Sequence, residues 1–482
     1  MSGPGVFDRR HRSTTTGLLV LVTFVAFEAM AVATAMPTAV AELDGLAWYG
    51  WPFTAFLVAQ VVGMVVGGEV GDRRGPRTAL LGGVAVFALG LLAAGLAADM
   101  ALFVAGRAVQ GLGGGLIAVS LYVVAGAAYD PRMRPALFGA LSAAWVVPAL
   151  VGPLVAGLVT ATATWRLVFL GILPLVAVGL GLVLPALRAL GIPTGASTPD
   201  RSRPWWAVLS GVGVGTLQYA GQRLDLLAVP LAVVGLAALV VGLRGLLPRG
   251  TGRAARGLPS VVASRGLLAG AFFGVESLIP FSLTTLHGYP ATAAGVPLTA
   301  AALGWSTASA LQGRRPDLSR VRLLQAGFVL VVVGVAGTAL VAVPGLHGWA
   351  TYGTWAVAGV GMGLGMSSVG VLLLDQSPAH RRGADSASLQ IADVTGSAVC
   401  IGAVGVLLAA ASAGSLPLTG SVLAAVAGLS LVAAVGVLVA GRCHPVDGGV
   451  DGGVGGEADG EVGGRADDGA GPHPGATTLA TS

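Results

Sequence analysis

Apolar stretches of about twenty residues follow one another from Thr16 to Gly441, separated by short polar breaks. A helix needs about 20 apolar residues to cross the hydrocarbon of a bilayer. Only helices or closed barrels satisfy their backbone hydrogen bonds there. Fourteen stretches are long enough: 16–36, 49–67, 79–97, 102–128, 136–159, 167–187, 206–222, 226–247, 262–285, 291–312, 321–343, 350–374, 384–410 and 417–441. The seventh is the weakest, ending in Gln218, Tyr219 and Gln222; without it and the eighth the count would be twelve. Charged residues make up only 10% of the chain, against roughly 25% in soluble domains. An all-α integral membrane protein is the expectation.

Arginine sets the orientation. Arg9, Arg10 and Arg12 precede the first span, Arg73, Arg74 and Arg77 follow the second, and Arg132 and Arg134 follow the fourth. Every second loop after that is again basic, the one after the eighth span being surrounded by Arg244, Arg249, Arg253, Arg256 and Arg265, while the intervening loops hold little more than Arg166 and Arg223. By the positive-inside rule both termini are expected in the cytoplasm, with an even number of spans. Trp48, Trp51, Trp165, Trp205, Trp206 and Trp349 fall near span ends, where an amphipathic ring suits the membrane interface. The basic start and Ala31-Val32-Ala33 are read as the first span rather than a signal peptide, because the apolar run is too long and an acid interrupts it.

Several function classes fall away. The net charge of +5 does not imply a nucleic-acid partner, since the arginines are spread over many short loops. There is no Lys, hence no Walker lysine and no Schiff base. Cys400 and Cys443 read as free thiols, and no His lies well inside a span, so neither a metal site nor any cofactor is expected. Glycine strings such as 359–363 follow no strand and carry no nucleotide-binding signal. The sequence holds no constellation of nucleophile and base, so the chain is not expected to be an enzyme.

The chain divides into a cytoplasmic start (1–15), six spans (16–188), linkers with an extra span pair (189–259), six more spans (260–442) and a Gly-rich acidic tail (443–482) expected to be disordered. The halves are weakly alike. The first span carries Glu28 and the ninth Glu276, each a lone acid, and Gln312-Gly313-Arg314-Arg315 stands where Asp72–Arg77 stands in the first half. Repeats of this kind let a central site face either side of a membrane in turn.

An ionisable group at mid-bilayer costs at least ~2.5–3.5 kcal/mol, so each one needs a reason. Glu28 lies mid-span in 27–37, with Pro37 nine residues on. A lone carboxylate in a dry cavity suits loading and releasing a proton; a packing hydrogen bond is the other reading. Arg107, in 105–115, is followed by the pair Gln110-Gly111 and further glycines that permit close helix approach. Because Arg keeps its charge, it either tunes a neighbouring acid or holds a polar network. Glu276 and Asp393 are the remaining deep acids, open to a second proton or a cationic cargo group. Gln110 and Gln390 are candidates for substrate hydrogen bonds; Trp145 and Trp305 lie away from span ends, to line a cavity or simply to pack.

Three patterns resemble the major facilitator transporters. The loop Gly68-Glu69-Val70-Gly71-Asp72-Arg73-Arg74-Gly75-Pro76-Arg77 is similar to that family's loop after the second helix, matching at Gly68, Asp72, Arg73, Gly75 and Arg77. Segment 105–115 resembles its fourth-span motif. Span five, with Gly139, Pro148, Gly152, Pro153 and Gly157, resembles the antiporter signature, departing at Pro148 and Ala156 where Gly is usual. Trp165–Leu170 and Pro174 resemble the start of the sixth span in the same exporters, and Glu28 stands where the fourteen-span drug:proton antiporters usually carry Asp. The resemblance implies a major facilitator fold of two six-helix bundles plus two extra helices. It also implies proton-coupled efflux of drugs or hydrophobic natural products across the cell membrane, by a monomer whose partners are amphiphilic cargo, protons and lipid. It gives Asp72, Arg73 and Arg77 a gating role at the cytoplasmic face and the fifth-span residues a sealing role. A transporter of an endogenous lipid, sugar or metabolite shares the fold and remains the alternative; an anionic cargo would call for a paired Arg beyond Arg107.

Overall fold

The computed structural model describes residues 6–445 apart from 9–10, 131–132, 134–136, 138–139, 142–143, 145, 190–201, 224, 316, 343–347 and 379–380. Helices account for its regular structure: α1 (Arg12–Glu42), α2 (Trp51–Arg74), α3 (Pro76–Gly95), α4 (Met100–Ala128), α5 (Val146–Thr162), α6 (Arg166–Leu170), α7 (Leu173–Ala189), α8 (Arg203–Gly221), α9 (Ala228–Leu246), α10 (Leu258–His287), α11 (Ala291–Gly313), α12 (Arg320–Gly337), α13 (Ala350–Gln376), α14 (Arg382–Ser412) and α15 (Leu418–Ala440). The short α6 and the longer α7 form one crossing, Arg166–Arg188, so the described residues form fourteen helical passes. Eleven are long and apolar enough to cross a membrane by length and composition alone. The weak seventh span is helical as α8; its polar residues are used for packing, described below.

Local chemistry marks the helix ends. Asp99 caps α4 by accepting from the Leu102 N–H at 2.8 Å, and Ser319 caps α12. The turn between α2 and α3 passes through Gly75 at φ +84°, a backbone angle that side chains resist, and Pro76 then opens α3 with its fixed φ.

The two halves repeat one packing scheme. In the first, α1 packs on α5 and α7, α4 packs on α2 and α3, and α3 meets α7. In the second, α10 packs on α14 and α15, α13 packs on α11 and α12, and α12 meets α15. The halves meet along two seams that are equivalent in this scheme, α5 with α11 and α2 with α14. The hairpin α8–α9 breaks the symmetry by docking through α8 on the α2–α14 seam. Arg223 and Asp225 tie its turn, and hydrogen bonding to the guanidinium holds the Asp225 carboxyl below its ordinary range.

Both ends of the described chain sit on one face of the molecule, where Ser13 donates to the Leu182 carbonyl and the Gly257 N–H donates to that of Arg442. At the opposite face the halves touch closely. The Tyr49 hydroxyl donates to the Ser277 carbonyl (2.6 Å), Gly50 meets Gly405, and Gly157 meets Ala291 and Thr292. The structure is closed at that face.

Two expectations from sequence need correcting. Trp165 is wholly buried rather than interfacial: it packs edge-on against Phe103 and Phe169 and donates to Glu42 at 2.8 Å. A satisfied N–H and apolar neighbours make burial favourable for such a ring. Arg265, counted with a basic loop, lies within α10 and pairs with Asp393 at 2.8 Å.

Candidate functional site

The first half holds a buried charged cluster. Glu28 on α1 and Arg107 on α4 form an ion pair with both side chains at most 3% exposed. The same Arg107 donates to Gln110 Oε1 (2.6 Å) and to the Pro52 carbonyl on α2 (3.3 Å), and it stacks 4.3 Å from the Phe56 ring centroid. A guanidinium alone among side chains can serve these directions at once, with a planar face left for the ring. Glu28 Oε2 and Gln110 Nε2 have no hydrogen bond among the described residues. The glycines of α4 explain the depth of the cluster: Cβ atoms added at Gly106 or Gly115 would lie 2.6 Å from the Ala94 or Met64 backbone nitrogen. Without side chains there, α4 approaches α2 and α3 backbone to backbone.

The second half has the acid without the base. Glu276 on α10 is 7% exposed and makes no hydrogen bond or ion pair among the described residues. Helix α13, the counterpart of α4, carries no basic residue between Ala350 and Gln376. Its Trp355 instead stacks on Phe272 (centroids 4.6 Å apart), one turn before Glu276, and Trp305 meets Phe272 edge-on at 6.0 Å. Trp355 Nε1 is buried and unpaired among the described residues. Asp393 keeps one oxygen unpaired beside Arg265, and Gln390, one turn away, is half-buried.

The fifth-span residues lie between the halves. Gly152 faces Phe27 and Met30, which flank Glu28, and Pro153 and Gly157 lie against α11: a Cβ at Gly295 would stand 3.0 Å from the Pro153 carbonyl. Pro148 is buried at the start of α5, whereas Gly139 and Trp145 lie outside the described residues. In the loop motif, Arg73 pairs with Glu69 one turn back at 2.8 Å. Asp72 and Arg77 are exposed, with no hydrogen bond or ion pair among the described residues, and nothing lies within 4 Å of a Cβ added at Gly68. In this conformation the motif makes no hydrogen bond or ion pair to the other half among the described residues.

Sequence reasoning passed over Glu42, Tyr49, Gln218 and Gln222. Glu42 binds Trp165 and Arg166 at the closed face, Tyr49 joins the start of α2 to α10, and Gln218 and Gln222 lie at the α2–α14 seam. Gln218 and Gln222 did carry a signal: two amides in an otherwise apolar span.

A two-fold repeated helical bundle, with buried ionisable groups at equivalent places in its halves, defines a secondary transporter. A family model for the Major Facilitator Superfamily matches residues 18–401, and the chain belongs to that superfamily of multi-pass membrane transporters. A probable multidrug-efflux transporter of Mycobacterium tuberculosis is 33% identical over 178 residues, covering 36% of this chain and 38% of that protein. An acurin A biosynthesis cluster MFS-type transporter of Aspergillus aculeatus is 33% identical over 169 residues, covering 35% and 30%. The chain thus spans about a third of the length of these curated relatives. The crystal structure of an auto-inhibited POT family peptide transporter superposes with a TM-score of 0.66 at 16% identity, covering 90% of this chain and 98% of that one, a likeness of fold.

Proposed function

We propose that the protein exports small amphiphilic molecules, drugs or hydrophobic natural products, in exchange for protons. It works by alternating access across the cytoplasmic membrane, as a monomer with both termini in the cytoplasm. The observation that carries this reading is the contrast between the two acids: Glu28 is held by Arg107, while Glu276 is buried with no partner among the described residues. An ionised carboxylate buried alone costs several kcal/mol. Such a group is stable when it carries a proton or when a positive group of the cargo lies against it. Proton and cargo then favour different charge states of one site, which is all that coupling requires.

In the state sealed at the face away from the termini, cargo enters from the cytoplasm and displaces the proton from Glu276. The six-helix units 16–188 and 260–442 then rock, the cargo leaves outside, and reprotonation resets the site. Arg107 fixes Glu28 and, through the Pro52 carbonyl, the start of α2. The cluster thereby links the charge of Glu28 to a helix that crosses the seam. The fifth-span resemblance and the relative described as a probable multidrug-efflux transporter support export of drug-like cargo.

Proton-driven dye transport in inverted vesicles tests this, comparing wild type with Glu276→Gln and Glu28→Gln. Normal, proton-coupled rates in both variants would end the proposal.

One observation favours a second reading. Arg265 with Asp393 is a paired arginine beyond Arg107, the arrangement that an anionic metabolite would use. Competition of dye transport by organic anions, lost in Arg265→Gln, would identify that cargo class.

A further inference from the structure

The two seams between the halves are equivalent in the repeat, yet the hairpin α8–α9 covers one of them. Its helix α8 inserts Gln218, 3% exposed, where α2 and α14 come together. Around that amide the two halves present glycines. A Cβ added at Gly50 would lie 3.0 Å from Gln218 Nε2, one at Gly405 3.3 Å from the same atom, and one at Gly402 3.4 Å from Oε1. Gly50 and Gly405 also meet each other, each leaving 2.8 Å between an added Cβ and the other's Cα. Despite this crowding, neither Oε1 nor Nε2 of Gln218 has a hydrogen-bond partner among the described residues, and neither has the neighbouring Thr54 hydroxyl.

One turn on, the same helix end grips the first half. Trp51 Nε1 donates to Gln222 Oε1 and Gln222 Nε2 donates to the Ala47 carbonyl, both at 3.1 Å. Gly221 packs on Val406 of α14. The hairpin therefore touches both halves at the closed face, through residues flanking those that close it.

These contacts pull in opposite directions. The approach of Gly50 to Gly405 needs the face shut, and Gln222, bonded to the first half beside a Gly221 packed on the second, helps to hold it so. The Gln218 amide is desolvated and unsatisfied in that same state, and a buried polar group without partners is destabilising. Separation of α2 from α14 would admit water to it.

We propose that the hairpin α8–α9 is part of the gate on this face, with Gln222 as its latch and Gln218 as a wedge that keeps the closed state from being too stable. The segment Tyr49–Thr54 is where the gate is read. Within it Tyr49 binds the carbonyl beside Glu276, Gly50 abuts the wedge, Trp51 holds the latch, and Pro52 receives Arg107. The inference concerns the movement and is independent of which cargo is carried.

The test uses the full chain in lipid nanodiscs, with Cys400 and Cys443 replaced by Ser and spin labels at Asp44 and Ser415. Those sites flank the seam on opposite halves at the closed face. Double electron–electron resonance reads the ratio of open to closed populations. Gln218→Leu fills the same space without the amide and is expected to lower that ratio about five- to 150-fold, the range that a 1–3 kcal/mol coupling produces. Gln222→Ala removes the latch and is expected to raise it. Opposite shifts cannot come from general loosening, which would move both variants the same way. No change in either variant, a shift of both in one direction, or a wild type wholly closed that stays closed in Gln222→Ala would overturn the proposal. If Gln218→Leu fails to assemble, Gln218→Met, unbranched and close to Gln in shape, replaces it and is held to the same outcomes.

Discussion

Arg107 closes on Glu28 while its guanidinium lies 4.3 Å from the ring centroid of Phe56, so a buried base of the first half is shared between a charge and a ring. A buried ion pair adds little over apolar packing of the same volume, but removing one member leaves an uncompensated charge. Arg107→Leu is therefore expected to cost about 3–5 kcal/mol, measured as thermal unfolding in detergent by tryptophan fluorescence. Glu28→Gln is expected to cost less, because Arg107 keeps Gln110 and the Pro52 carbonyl. The double variant Glu28→Leu/Arg107→Met should regain most of the stability and still fail to transport. If it transported normally, the cluster would be packing alone.

Glu276→Gln fixes the neutral state of the unpaired acid at nearly constant volume. Folding should be unaffected, since the neutral form suits the buried site. Proton-driven dye accumulation is expected to fall at least about tenfold, equivalent to about 1.4 kcal/mol, while dye exchange at equal pH continues. Stopping exchange and accumulation together would place the residue in the fold rather than in coupling.

Gly157 abuts the backbone of Thr292, and an added Cβ would come within 2.7 Å of its Cα. Backbone cannot swing aside as a side-chain tip can, so Gly157→Leu is expected to hold the α5–α11 seam apart. Transport should drop about tenfold or more, and a thiol placed at Ala163 should react faster with a membrane-impermeant reagent. Gly68→Ala provides the contrast. Nothing lies near that position here, and stability should stay within about 0.5 kcal/mol of wild type.

The number of passes and the class of fold were legible because hydropathy reads length and burial in lipid residue by residue. The two lone acids and Arg107 were legible for the same reason, as charges where charges are expensive. Their inequality was not. That Glu28 meets Arg107 while Glu276 lies one turn from Phe272, the ring that meets Trp355 and Trp305, depends on the rotation of α1 against α4 and of α10 against α13, and hydropathy does not encode rotation. The polar letters of α8 read as weakness in a span. Only the docking of α8 on a seam of glycines from segments far away in the chain turns Gln218 and Gln222 into contacts. Asp393 shows the reverse, a deep acid by sequence that shares its oxygen with an arginine counted to a loop.

Trp165 offers a test of the closed face in the first half. Its ring is fully buried against Phe103 and Phe169, and its N–H reaches Glu42, which also binds Arg166; Arg166 in turn donates to the Ala97 carbonyl at 3.1 Å. This ties the end of α1 to the α3–α4 connection. Trp165→Phe keeps most of the packing and loses one hydrogen bond to a carboxylate, for an expected cost of about 1.5–3 kcal/mol before discounting the half-exposed Glu42. Trp165→Ala removes the ring as well and is expected to cost about 3–5 kcal/mol. Arg166→Gln should cost less than either, since that pair is partly exposed and water screens it. Thermal unfolding of the three variants gives the order directly. An Arg166→Gln loss larger than that of Trp165→Ala would mean that charge, rather than the buried ring, holds this corner together.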